Sequence, residues 1–64
     1  MRFGQNLQRL RRARGLSQEQ FAFEAGIHRT YIPGIEAGQR NPSIETVGKI
    51  AAALNVRPGE LLDP

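Results

Sequence analysis

The chain of 64 residues contains no cysteine, so neither a disulfide nor a thiolate metal site is available to stabilise it. That usage fits a reducing cytosol. No apolar run approaches the ~20 residues of a membrane span. The opening Met1-Arg2-Phe3-Gly4-Gln5-Asn6 lacks the apolar stretch of a secretory signal. The expected setting is therefore the cytoplasm, with no membrane partner. Strand-like alternation, internal repeats, low-complexity tracts and linkers are all missing. So is a catalytic constellation. His28 is the only histidine, Ser17 and Ser43 stand where helix caps are expected, and no carboxylate pair marks a cleft. No enzyme, cofactor or metal site is expected.

Lysine is almost absent as well. Nine cations against six acids give a net charge of +3, and Lys49 is the sole lysine among them. The other cations are arginines, whose planar fork suits phosphate and guanine better than a lysine point charge. An isoelectric point near 10.7 fits a nucleic-acid partner, although small basic proteins of other function share it. A chain this short buries only about 60% of the surface it exposes unfolded, which allows one domain, over residues 1–64, with an economical core.

Turn residues divide the chain into short helical pieces. Phe3, Leu7, Leu10 and Ala13 fall at steps of three and four on one face, and Gly15 stops that helix after Arg14. Ser17 and Gln20 form a capping box for the second helix, with Leu16 and Phe21 as its hydrophobic staple. Phe21, Ala22 and Ala25 face inward, and Gly26 ends the piece. A third helix is expected from about His28 to Ala37, with Ile32 and Ile35 inward and His28 at its N-cap. Asn41-Pro42-Ser43 then turns and caps a fourth helix, whose stripe is Ile44, Val47, Ile50, Ala51 and Leu54. Asn55 can close it in the left-handed conformation. Pro58-Gly59-Glu60-Leu61-Leu62 reads as a short fifth helix. The fold class is all-α, five helices and no strand, and helices this short need tertiary burial to persist.

One constellation is specific. Ala22 is small where a third helix would cross the second. Gly26, four positions on, tolerates the positive φ of a tight turn. Ile32 and Ile35 then pin the third helix. These residues, with Gly15-Leu16-Ser17-Gln18-Glu19-Gln20-Phe21-Ala22, Ala25-Gly26-Ile27, Tyr31-Ile32, Ile35-Glu36-Ala37-Gly38 and Arg40-Asn41-Pro42-Ser43, resemble the phage-repressor and Cro type of helix-turn-helix protein, the xenobiotic-response-element family. Leu10-Arg11-Arg12 and Ala53-Leu54-Asn55-Val56 extend the likeness over roughly residues 4 to 62. Within that family, His28 through Asn41 looks most like the controller proteins of restriction–modification systems. The resemblance implies a compact lambda-repressor-like domain that binds double-stranded DNA as a transcriptional regulator, either a repressor or an autoregulatory controller.

In such a motif the third helix enters the major groove with its N-terminal residues at the base edges. The outward candidates at its start are His28, Arg29 and Thr30. Arg29 suits a bidentate contact to guanine or a phosphate contact, and Thr30 a thymine methyl or a polar base edge. The family likeness places Gln18 on a phosphate at the start of the second helix. It places Arg40 and Asn41 where relatives touch backbone or base. Tyr31 either donates its hydroxyl to phosphate or covers apolar surface. The likeness also pairs Arg11 with Glu36 as a structural ion pair. Arg9, Arg12 and Arg14 read as a solvated face.

Pro33 departs from the family pattern. Either it distorts the third helix or it is tolerated close to the helix start. With Gly34 beside it, that stretch carries no hydrogen-bonding side chain. The expected assembly is a homodimer on a near-palindromic operator, with helices four and five at its interface if Leu61 and Leu62 are not absorbed by the core. No effector-sensing domain is expected within these 64 residues. Two alternatives remain: an antitoxin that also binds a toxin protein, and a protein-interaction module of the same fold.

Overall fold

The computed structural model describes residues 2–62. Five helices follow one another: α1 (Phe3–Ala13), α2 (Gln18–Ala25), α3 (Tyr31–Glu36), α4 (Ile44–Leu54) and α5 (Pro58–Leu62), with no strand among the described residues. The expected boundaries of α1, α2, α4 and α5 agree with this order.

The chain uses one device repeatedly to leave a helix. A residue in the left-handed region ends it, and the next amide reaches back to a carbonyl five residues earlier. At Gly26 (φ 71°) the Ile27 amide donates to the Ala22 carbonyl at 2.9 Å. At Asn55 (φ 57°) the Val56 amide donates to Ala51 at 3.0 Å. Leu16, Ile27 and Val56, the aliphatic residues that follow such ends, all pack against the core, the apolar contact that accompanies this cap. At the other ends Ser17 accepts from the Gln20 amide while Gln20 caps the Ser17 amide, and Ser43 accepts from the Thr46 amide.

α1 runs through the centre and packs against α3, α4 and α5, while α2 lies on α3 and α4. Phe3, Leu7, Phe21, Ile32, Ile50, Leu54 and Leu61 are completely enclosed. Leu10 is half-buried, and Ala13 faces solvent rather than the core. The sequence leaves Leu61 and Leu62 together between core and interface; the structure divides them. Leu61 is 0% exposed and Leu62 51%. α5 is tied down from α1 by the Asn6 side-chain amide, which donates to the Leu61 carbonyl at 2.8 Å.

The third helix begins later than the sequence suggests. Its N-cap is Thr30, and it contains only six residues. His28 to Thr30 form a turn instead, closed by the Tyr31 amide on the His28 carbonyl at 3.0 Å. Pro33 is the reason this start works. Counted from Tyr31 it is the third helical residue, where an amide has no partner within the helix and its loss costs nothing. The Pro33 carbonyl still accepts from the Ala37 amide at 3.0 Å. Pro33 is thus accommodated by a delayed start, not by a kink.

Candidate nucleic-acid interface

The site is built on the α2–turn–α3 unit. Ala22 is 1% exposed where the two helices meet, and Ile32 and Ile35 anchor α3 beneath. A second anchor is polar. Arg11 of α1 donates through Nε and Nη2 to the two Glu36 oxygens, at 2.6 and 2.9 Å, and through Nη1 to the Leu16 carbonyl at 2.7 Å. Gln18 and Gln8 donate to the same carboxylate, at 3.1 and 3.4 Å. The Glu36 side chain is only 3% exposed. Burial alone would push its carboxyl up. The hydrogen bonds from Arg11 and Gln18, the Arg11 charge and the Gln8 bond outweigh that and hold it below its ordinary value. Hydrogen bonding to Glu36 raises Arg11 in turn, against the effect of burial. One carboxylate therefore joins α1, α2 and α3.

The predicted contact residues fall into neighbouring groups. Gln18, Arg29 and Thr30 line one shallow depression with Glu19 and Pro33. Tyr31, Arg40 and Asn41 line another with Ile35, Pro42, Ser43 and Thr46. His28 stands with Arg29 beside Phe23 and Ile27. Because α3 starts at Tyr31, His28, Arg29 and Thr30 are presented by the turn before the helix and not by its first turn. That turn has its own internal support: the His28 Nδ1 lies 2.8 Å from the Thr30 hydroxyl and accepts from the Thr30 amide at 3.3 Å. His28 does not cap α3. Arg29 rests 3.4 Å from the Glu19 carboxylate, with both side chains about 70% exposed (69% and 73%). Gln18 occupies the first position of α2, and its side chain is turned to Glu36, which leaves its backbone amide as the group at the helix terminus.

Several features go beyond those expected from the sequence. The Arg40 guanidinium lies over the Tyr31 ring, 4.7 Å from its centroid. Gly4 lets α1 approach α3 so closely that a Cβ there would lie 2.1 Å from the Ile35 carbonyl oxygen. Arg14, expected on a solvated face, donates to the Leu54 carbonyl at the end of α4. Phe23 projects from α2 and is 87% exposed. The first three are contacts between different elements, for which spacing gives no signal; the outward Phe23 follows from its place opposite Phe21, Ala22 and Ala25 on α2. No group of three or more His, Cys, Asp or Glu side chains that could hold a metal ion occurs among the described residues, and no helix there is long and apolar enough to cross a membrane.

Comparison with known proteins agrees with this architecture. A helix-turn-helix family model matches residues 7–61. Control protein C.BamHI of Bacillus amyloliquefaciens is 48% identical over 62 residues, covering 95% of this chain and 76% of that protein. The solved structure of the restriction-modification controller protein C.AhdI from Aeromonas hydrophila aligns with a TM-score of 0.89 at 52% identity, over 94% of this chain and 91% of that one. The master regulator for biofilm formation SinR, solved in complex with DNA, aligns with a TM-score of 0.90 at 35% identity, over 95% and 98% of the two chains.

Proposed function

The chain belongs to the helix-turn-helix family, and on that premise we propose that it is a sequence-specific double-stranded DNA-binding transcriptional regulator of the controller type. The observation that carries this reading is the exposed turn His28-Arg29-Thr30, which leads into a helix pinned from behind by Ile32, Ile35 and the Arg11–Glu36 pair. A rigid base with an exposed arginine and hydroxyl at the mouth of the third helix is what major-groove entry requires. Arg29 and Thr30 read base edges, helped by His28. Tyr31, Arg40 and Asn41 flank them along the groove, and the Gln18 amide at the head of α2 meets a phosphate.

A homodimer on a near-palindromic operator completes the reading. Half-sites lie about 34–36 Å apart along DNA, a distance that falls within the combined span of two molecules of 25 × 22 × 20 Å. Leu62, half-exposed at the end of α5, contributes to the contact; Leu61 does not, because the core holds it. The protein works in the cytoplasm, on the nucleoid.

Selection of sites from a random duplex pool tests the assignment and supplies the operator. Affinity for the selected duplex must fall steeply with salt as counterions are released. A flat salt response removes the DNA reading. Arg29→Ala is expected to cost about 1–3 kcal/mol on the selected site and little on random duplex; equal losses on both would make Arg29 a phosphate contact only.

A further inference from the structure

The outer face of α3 has a gap. With 3.6 residues per turn and Ile32 and Ile35 facing the core, the side opposite them is made by Thr30, Pro33, Gly34 and Ala37. Only Thr30 of these can hydrogen-bond through its side chain. Yet Gly34, near the middle of that outward side, is half-buried. What covers it is Arg40. The Gln39 and Arg40 amides both donate to the Gly34 carbonyl, at 2.9 and 3.1 Å, which folds the loop back against the helix end. A Cβ on Gly34 would lie 3.3, 3.4 and 3.7 Å from Cδ, Cγ and Cβ of Arg40. The arginine stem thus runs across the bare glycine, and its guanidinium ends over the Tyr31 ring, one turn back.

We propose that Gly34 and Tyr31 form a bed that positions Arg40 on the outward face of α3, so that a loop arginine supplies the groove-facing donor which Pro33 and Gly34 cannot. This rests on the DNA-binding reading and deepens it. Tyr31 is then a positioning residue whose ring is its working part, and its hydroxyl is secondary. The physical basis is twofold. A guanidinium over an aromatic face is attracted by the ring quadrupole, and a stacked arginine gives up less conformational freedom on meeting a base edge than one free in solvent. Its exposed edges keep the fork needed for a guanine. Glycine at 34 is costly to a helix. Its room for the Arg40 stem supplies a reason for it there.

The test has a DNA-free arm and a DNA arm. In the free protein, the Arg40 Hδ protons should resonate upfield of their ordinary position through the ring current of Tyr31, the only tyrosine. The shift should persist in Tyr31→Phe and collapse in Tyr31→Leu. Absence of this shift in the unaltered protein overturns the proposal. On the selected duplex, Tyr31→Leu and Arg40→Ala should each lower affinity about tenfold or more, the scale of one base contact. The double variant should be no weaker than Arg40→Ala alone, and Tyr31→Phe should stay within about twofold of the unaltered protein. Gly34→Ala, which favours the helix, should still lose affinity by displacing the stem. Losses that multiply in the double variant, or a Tyr31→Phe loss as large as that of Tyr31→Leu, overturn the positioning role. If the unaltered protein binds no duplex, the DNA reading falls and this role of Arg40 with it. The ring-current shift then identifies DNA binding, and not the stacking, as the part that failed.

Discussion

The Arg11 guanidinium grips the Glu36 carboxylate by two bonds, from Nε at 2.6 Å and Nη2 at 2.9 Å, with the two side chains 8% and 3% exposed. The parallel fork fixes the angle of α3 relative to α1 as well as its distance. Because Nη1 also holds the Leu16 carbonyl, the same guanidinium ties down the entry to α2. The orientation of the whole α2–turn–α3 unit is thus referred to one side chain of the central helix.

Removing one partner is therefore expected to be severe. Glu36→Leu leaves the Arg11 charge enclosed without a counter-ion, at a cost of about 3–5 kcal/mol. A chain of this length has roughly 3–10 kcal/mol in all, so the variant should lose a large share of its stability. Arg11→Met with Glu36→Leu removes the stranded charge and should recover most of the loss. Urea unfolding followed by circular dichroism measures both. A Glu36→Leu cost under about 1 kcal/mol would class the pair with ordinary surface bridges.

The same pair predicts acid sensitivity. Burial pushes the Glu36 carboxyl up, but the bonds from Arg11 and Gln18 together with the Arg11 charge hold it lower than in the unfolded chain. The folded state then binds fewer protons than the unfolded state across that interval. Its contribution is complete above the unfolded carboxyl value of about 4.3 and is lost as pH falls through the lower folded one. The urea midpoint should hold level from neutral pH to about 5 and decline below that. The decline should be shallower in Glu36→Gln; an equally steep decline there would assign acid loss to other carboxylates.

Two glycine substitutions should act in opposite directions. A Cβ on Gly4 would lie 2.1 Å from the Ile35 carbonyl oxygen and 2.9 Å from that of Glu36, both backbone atoms that cannot swing aside. Gly4→Ala should force α1 and α3 apart and cost about 1–3 kcal/mol or more. A Cβ on Gly48, in α4, meets nothing within 4 Å. Gly48→Ala should stabilise the protein by about 0.5–1 kcal/mol. Thermal unfolding of the two variants checks the pair, and a neutral Gly4→Ala would refute the close approach of α1 to α3.

These cases mark what a sequence can disclose here. The Ser17–Gln20 box, the Ser43 cap and the left-handed ends at Gly26 and Asn55 are local arrangements, satisfied within a few residues, and the residue types announce them. The start of α3 was ambiguous because Pro33 is compatible with two accounts. A helix begun at Arg29 must bend around it, whereas one begun at Tyr31 accepts it unbent. Gly4, the Asn6 bond to Leu61 and the Arg14 cap on α4 each join segments far apart in the chain, and the Arg40 stack on Tyr31 depends on how the loop after α3 folds back. Periodicity has no access to such pairs. The functional consequence is concentrated at α3, where the expected reading residues lie on the preceding turn and the following loop contributes Arg40 to the helix face.

Arg29 offers the sharpest test of how that turn engages DNA. Its guanidinium lies 3.4 Å from the Glu19 carboxylate, both side chains being well exposed (69% and 73%). Solvent screens such a pair, so Arg29 can exchange Glu19 for a nucleic-acid acceptor at small cost. Binding must nevertheless break the contact and bring the Glu19 anion close to phosphates. Glu19→Gln should accordingly tighten binding to the selected duplex by about 1.4- to 5-fold, the range expected for an exposed ion pair. The gain should shrink at high salt. It should also largely vanish in an Arg29→Ala background, since the competition has then lost its object. Fluorescence anisotropy with a labelled duplex reads all four proteins of the cycle. A gain that survives unchanged without Arg29 would mean that Glu19 acts only through its charge near the backbone, and that Arg29 is not held in check by it.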